Sequence, residues 1–386
     1  MNNPKKIMYL LDAFAKPGGV ERVIGDKMNY LVNNGFQITL VTYQQGNHPV
    51  SFPLNPSIKH LDTNTPLHIV YKYNRIYRLF KRWQIRKEYR KKLQLIINEE
   101  QPDAIIITTY GITTCGIVSE IGTTAKLIAE AHVPKSMTIE GNIRSKNPIR
   151  KFIDKKYNEY QCRKIRKFDL LVLLTNSSIQ DWDKIAKRII VIPNPVTYYP
   201  EDLQSKELST KSIISVGRLH PQKGYDRLIK AFAIIADQCP QWNVKIYGNG
   251  DDKLFLTDLI NSYNLQNRII LNDATPLIYE KYVESDFFVM SSRFEGMPLV
   301  LLEAMACGIP CVSFACKYGP EDIIENGNNG FIVEDGNIQQ LADKILWMCN
   351  HDMERQKMGN NARKCAEKYK KETIMPKWVQ LFNNIL

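Results

Sequence analysis

Residues 292–312 read SRFEGMPLVLLEAMACGIPCV, and this stretch decides the fold. From Leu299 to Cys307 it is apolar on nearly every side, with Glu303 as the lone charge. Turn residues bracket that run. Pro298 suits a first helical position, where a missing N–H costs nothing. Gly308 suits the residue just past a helix end, and Pro310 bars continuation. The pattern predicts a helix over Leu299–Cys307. A helix apolar all round is buried, and the apolar run that follows, Cys311–Phe314, reads as a strand beside it.

Two carboxylates, Glu295 and Glu303, stand in this stretch with seven residues between them. A carboxylate on a buried helix needs hydrogen-bond donors or a cation. The helix start also leaves free backbone N–H groups in a field that favours an anion. Loop carboxylate, anion-binding helix start and acceptor of hydroxyls match the sugar, phosphates and ribose of a nucleoside diphosphate sugar. They are equally compatible with Glu303 paired to a structural arginine and Glu295 in solvent.

Outward from this stretch the strand–helix alternation continues in both directions. Strands are expected at Ser212–Val216, Asn243–Tyr247, Ile269–Leu271, Phe287–Met290 and Cys311–Phe314. Helices are expected at Tyr225–Asp237, Asp251–Tyr263, Ile338–Cys349, Met353–Tyr369 and Thr373–Leu386. Before them, Lys6–Leu11, Phe36–Tyr43, Ala104–Thr109, Ala125–Ala129, Leu170–Leu174 and Ile189–Ile192 read as strands. Val20–Asn33, Tyr71–Asn98 and Phe152–Phe168 read as helices, and Val50–His68, with its prolines, as irregular chain. The prolines of PNPV, 193–196, mark a linker. Alternation of this kind, met twice, predicts an α/β protein with two parallel doubly wound sheets. Ligands of such sheets bind beyond the strands' carboxyl ends, here expected to face each other across a cleft. A length of 386 residues fits two domains, placed at 1–195 and 196–370, with a closing helix at 371–386.

No apolar run approaches the ~20 residues of a membrane span. The N-terminus, with its apolar run broken by Asp12, reads as a first strand and not a signal peptide. Eight cysteines are scattered without a C-x-x-C pair, and Cys307, Cys311 and Cys316 fall where packing accounts for them. A metal or disulfide framework is not expected, and a reducing cytoplasm is.

The net charge of +12 is lopsided. Residues 1–170 hold 28 Lys/Arg against 14 Asp/Glu, whereas the remainder holds 24 against 26. Within the first part, Tyr71–Lys92 has ten basic residues and one acidic, and Arg144–Lys167 ten and two. In the first of these patches Tyr73, Ile76, Tyr77, Phe80 and Trp83 form one apolar stripe at helical spacing, and Ile85, Tyr89, Leu93 and Ile96 a second. That is the pattern of a helix lying on an anionic membrane. A solvated helix with one stripe packed on its domain fits as well. Nucleic acid is not expected as a partner, since no recognised nucleic-acid motif accompanies the charge.

Several short motifs then converge. PGGVER at 17–22, AEAHVP at 129–134, PNPV at 193–196, SVGRLHPQKG at 215–224, YGNGDD at 247–252 and EDIIENGNNGF at 321–331 occur in one order along most of the chain. With the E-x7-E pair they resemble family-4 glycosyltransferases, which have the GT-B fold and retain configuration at the transferred sugar. The resemblance implies roles residue by residue. Gly18 and Gly19 contact the donor's diphosphate and the acceptor. His132 hydrogen-bonds a hydroxyl of the donor sugar. Arg218 and Lys223 bind the diphosphate and stabilise it as it leaves. Glu295 contacts the sugar hydroxyls. Gly296, Met297, Pro298, Leu299 and Val300 line the donor through their backbone, and Glu303 holds the ribose. Read alone, the glycine pair is a tight turn, Arg218 and Lys223 are surface cations, and His132 is a satisfied structural histidine.

Asp181 and Asp183 spell D-x-D, a metal motif of the other glycosyltransferase fold, but here they open a helical stretch and point to different faces. YGNGDD lacks the third glycine of a dinucleotide fingerprint. The expected protein is a retaining glycosyltransferase that needs no metal or other cofactor. It would move a hexose from a nucleotide sugar to a glycan, expected to be lipid-linked, in surface polysaccharide biosynthesis. Lys81, Arg82, Trp83, Arg86 and Lys87 would dock it on the inner face of the cell membrane. The alternatives are a GT-B sugar-nucleotide epimerase and a basic membrane- or nucleic-acid-binding module without catalysis.

Overall fold

The computed structural model describes residues 3–15, 18–66, 75–140, 147–201 and 209–386. Pro17, His68, Tyr71, Tyr73 and Arg144, named above, lie outside them. The chain divides into two compact units, Met1–Ile192 with Met375–Leu386, and Pro193–Ile374. The division thus falls at Ile192/Pro193 rather than after residue 195, and the last residues of the closing helix count with the first unit.

The first unit is built on a seven-stranded parallel sheet. Its strands are β1 (Lys6–Leu11), β2 (Gln37–Thr42), β3 (Lys59–Asp62), β4 (Ala104–Thr108), β5 (Lys126–Ala131), β6 (Leu170–Leu173) and β7 (Ile189–Val191), in the order β3-β2-β1-β4-β5-β6-β7. Its strands are near-continuous apolar runs because helices cover both faces of a parallel sheet. β3 lies in a segment expected to be irregular. It is an edge strand, KHLD, with no fully buried residue, so it lacks the apolar signal that marks its neighbours.

The second unit holds a six-stranded sheet with strands β8 (Ser212–Val216), β9 (Asn243–Tyr247), β10 (Ile269–Asn272), β11 (Phe287–Met290), β12 (Cys311–Phe314) and β13 (Gly330–Val333). The order is β10-β9-β8-β11-β12-β13, and the registered pairs are all parallel. Chain order runs outward from β8 on one side and from β11 on the other. The switch point, where such sheets bind ligands, therefore lies between the carboxyl ends of β8 and β11. In the first unit it lies between β1 and β4.

The helix of the opening stretch spans Leu299–Ala306. Pro298 is its cap and not its first helical residue, because ψ near 103° keeps it extended. Gly308 has φ +71°, as a residue just past a helix end requires. The seven cysteines at 115, 162, 239, 307, 311, 316 and 349 are buried as free thiols and Cys365 is half-buried. Burial pushes the Cys307 thiol up to about 12, so it acts as a packing group.

Candidate functional site

In the second unit the expected residues gather at the switch point. After β8 the chain passes Arg218, then a short 3₁₀ turn Pro221–Lys223, then the helix Tyr225–Ile235. Gly224 joins turn to helix with φ +63°. A Cβ there would stand 2.1 Å from the carbonyl oxygen of Ser291, at the end of β11. Only glycine lets these two loops approach so closely.

That approach brings Lys223 to Glu295. The Lys223 Nζ donates to Glu295 Oε1 at 2.8 Å, and the Ser292 hydroxyl donates to the same oxygen at 2.7 Å. Oε2 makes no hydrogen bond among the described residues. Glu295 is 7% exposed. The sequence reading put the buried carboxylate on the helix at Glu303, whereas the structure buries the loop carboxylate Glu295 more deeply. Glu295 is the buried carboxylate because a tertiary cation and a hydroxyl replace its water. Glu303 is half-buried, accepts from the Thr197 hydroxyl at 2.9 Å and lies 3.3 Å from the Tyr282 hydroxyl. Beside Glu303, burial first and then its charge hold the Tyr282 phenol well above its usual range, so it is a donor.

Arg218 is exposed and makes no hydrogen bond or ion pair among the described residues. It stands beyond the carboxyl end of β8 as an unspent cation. Met297 is buried, and its Sδ accepts from the Asn194 N–H at 3.2 Å. Gly296, Leu299 and Val300 complete the approach to the helix start.

In the first unit Gly18 caps the helix Gly19–Asn33 with extended backbone, and its carbonyl accepts from the Arg22 N–H at 3.1 Å. The carboxylate of Glu21 fills the space that a Cβ would take at Gly18, 2.3 Å from it. An anion at this helix start would meet that charge. His132 directly follows β5 and is buried. Residues two apart in extended chain share a face, so its Nε2 lies 3.0 Å from Glu130 Oε2. Glu130 in turn holds Lys27, with Nζ 2.6 Å from each carboxylate oxygen. Lys27 and Glu130 are 1% and 2% exposed. Burial alone would raise the Glu130 carboxyl. The charge of Lys27 and the His132 hydrogen bond overcome that and hold it at about 2.

Lys27 and Glu130 escaped the sequence reading. The signal for Lys27 was present. It falls on the buried stripe Val23, Lys27, Leu31, at i, i+4, i+8, where a lysine without a partner would be prohibitive. Thr197, Tyr282 and Ser292 were also missed, and nothing local marks them.

The D-x-D pair is split by Trp182, which is buried, within the short helix Ile179–Trp182, while Asp183 is exposed. The basic helix spans Arg75–Glu100. Its second stripe packs inward, with Tyr89 and Leu93 buried and Ile85 and Ile96 half-buried, and Ile97 is buried beside it. Of its first stripe, Tyr77, Phe80 and Trp83 are exposed. Tyr77, Phe80 and Trp83 form a ladder with ring centroids 6.3 and 6.2 Å apart, and Trp83 is 58% exposed. The neighbouring helix Pro148–Arg163 exposes Ile149, Phe152 and Ile153, and Arg86 donates to its Tyr157 hydroxyl at 2.8 Å. Arg86 is thus tied between helices, unlike exposed Lys87. Among the described residues no helix is long and apolar enough to cross a membrane.

Comparison with known proteins gives two family matches. Residues 17–198 match Glycosyltransferase Family 4, and residues 201–365 match Glycosyl transferases group 1. An uncharacterized glycosyltransferase of Haemophilus influenzae is 28% identical over 379 residues, covering 97% of this chain and 99% of that one. A poly(ribitol-phosphate) alpha-N-acetylglucosaminyltransferase of Staphylococcus aureus is 31% identical over 236 residues, 60% of this chain and 47% of its own length. Among solved structures, S. aureus TarM in complex with fondaparinux, alpha-GlcNAc-glycerol and UDP superposes with a TM-score of 0.76 at 18% identity, over 98% of this chain and all of that one. At that identity the likeness shows the fold, which is GT-B.

Proposed function

Because this chain belongs to the family-4 glycosyltransferases, we propose that it moves a hexose from a UDP-hexose or UDP-N-acetylhexosamine to a hydroxyl of a cell-surface glycan. That it is a glycosyltransferase follows from the family. The donor, the acceptor and the stereochemistry are our reading. The observation that carries it is the Lys223–Glu295–Ser292 cluster at the switch point of the second sheet. Two donors fix one carboxylate oxygen of Glu295 and leave the other to accept from a sugar hydroxyl. Arg218 and Lys223 supply cations where the diphosphate charge develops.

No side chain is placed as a nucleophile. The acceptor oxygen bonds to the anomeric carbon as the carbon–oxygen bond to the diphosphate breaks on the same face. The acceptor's proton passes to a phosphate oxygen, and configuration is retained. The S. aureus relative's alpha-linked product supports this, since UDP-N-acetylglucosamine is itself an alpha glycoside. With two protein cations on the diphosphate, transfer is expected to proceed without a metal. The test is incubation with a panel of UDP sugars in excess chelator. Free UDP together with a glycosylated acceptor is expected. An epimerised UDP sugar without UDP release would identify an epimerase, and complete loss of activity restored by metal would overturn the metal-free reading.

Glu303 is assigned to the ribose hydroxyls. Replacing Glu303 by Gln keeps an acceptor for Thr197 but removes the charge. Donor affinity should fall about tenfold, the worth of a charge-assisted hydrogen bond, at nearly constant thermal midpoint. Isothermal titration with UDP measures this, and unchanged affinity would remove Glu303 from the site.

The acceptor is proposed to be lipid-linked and the enzyme peripheral on the inner face of the membrane. The bare ladder Tyr77–Phe80–Trp83 beside Lys81, Arg82 and Lys87, together with exposed Phe152 and Ile149, supports this. Each basic residue contributes about 1 kcal/mol at an anionic surface. Replacing Lys81, Arg82 and Lys87 by Gln and Trp83 by Ala should abolish co-sedimentation with anionic vesicles at low salt and spare hydrolysis of soluble donor. Equal binding of the native protein to neutral vesicles would refute an electrostatic dock.

A further inference from the structure

We propose that Lys27 and Glu130 are positioning residues that lock His132 in one tautomer, with Trp378 of the C-terminal helix completing the lock. The inference rests on the proposed contact between His132 and a donor sugar hydroxyl. Glu130 is ionised, and an ionised carboxylate only accepts hydrogen bonds. The proton of the 3.0 Å contact therefore belongs to Nε2, and in the neutral ring Nδ1 carries a lone pair. That Nδ1 is buried and has no partner among the described residues. It is an acceptor kept for a hydroxyl.

Glu130 holds this role because Lys27 keeps it charged at a depth where a lone carboxylate would take up a proton. The ammonium is fully committed. It reaches both oxygens of Glu130 at 2.6 Å and lies 3.8 Å from the centroid of the Trp378 ring. Two N–H groups thus meet the carboxylate while the ring's π face takes the remaining side of the cation. Tyr9 lies farther off, with its ring centroid 5.5 Å from the ammonium. A buried ion pair is a poor device for stability alone, because desolvation cancels most of its attraction. Here it fixes the orientation of an imidazole.

The experiment uses the full-length enzyme. In 15N spectra of the imidazole rings, with His132 assigned by loss of its signals in His132→Gln, the free native protein should show Nε2 protonated and Nδ1 bare. The double variant Lys27→Met with Glu130→Gln replaces the pair by neutral groups of similar size. A glutamine amide can accept from Nε2–H or donate to a bare Nε2, so the tautomers should mix. With the thermal midpoint held within a few degrees, kcat should drop about 10²-fold, on the scale of one lost transition-state contact, while the KM for donor changes less than threefold. A native His132 protonated on Nδ1 would overturn the inference, as would a folded double variant with native kcat. If the double variant fails to fold, the native spectrum alone decides. Absence of transfer by the native enzyme on every UDP sugar would instead count against the proposed donor class, leaving the tautomer measurement to stand by itself.

Discussion

Replacing Arg218 by alanine is expected to slow sugar transfer by about 10²–10³-fold at an unchanged thermal midpoint. The two halves of that statement have separate causes. Arg218 is exposed and unpaired among the described residues, so the folded state loses no contact with it. In the proposed mechanism its charge is engaged only when the diphosphate departs. Lys223 is the instructive contrast. It carries the Glu295 ion pair, so Lys223→Ala strands a nearly buried carboxylate, and both rate and stability should fall, the latter by about 2–3 kcal/mol. Single-turnover transfer and calorimetry on the two variants read the difference. An Arg218→Ala enzyme with the native rate would exclude that cation from the chemistry.

The largest loss of stability is expected at Gly224. Gly224→Ala would force a side chain into the left-handed region, with its Cβ 2.1 Å from a backbone carbonyl that belongs to the end of β11. A backbone carbonyl cannot swing aside as a flexible side chain would. The cost should reach about 3 kcal/mol or more, lowering the midpoint by roughly 6–12 °C. Gly35 provides the control. It too has positive φ, +86°, but nothing lies within 4 Å of its Cβ position. Gly35→Ala should cost only about 1 kcal/mol, the conformational part alone. Equal effects at the two positions would show that the approach of the Gly224 loop to β11 is softer than its geometry implies.

Both sheets were legible wherever a strand is buried on both faces, because an unbroken apolar run between turn residues has few other readings. β8, β9, β11 and β12 fall at the expected residues. The missed strands, β3 and β13, are edge strands of their sheets. β3, half in solvent, carries no such run, and β13, though mostly buried, is four residues within a glycine- and asparagine-rich motif. The opening stretch revealed the helix but not which of its acids is the more deeply buried. Periodicity tells which face of an element is buried, whereas the burial of Glu295 depends on Lys223, seventy-two residues away in sequence. The same limit applies to Glu130. Its strand was expected, but its partner lies on another element, 103 positions earlier. Of the two bare-looking stripes on the basic helix, only tertiary packing chose which one to cover.

The return of Met375–Leu386 to the first unit has a consequence for how the protein is made. Phe382 is wholly buried, edge-on to Phe36 with ring centroids 5.9 Å apart, and Trp378 covers Lys27. A ribosome releases Phe36 and Lys27 early and their covers last. At about 5–20 residues per second, the first unit waits roughly 10–40 s with an apolar face and a buried charge exposed while the whole second unit is synthesised. That nascent chain is a natural client for a chaperone throughout the interval. A stop codon a dozen residues early would leave the second unit's sheet intact and spoil the first.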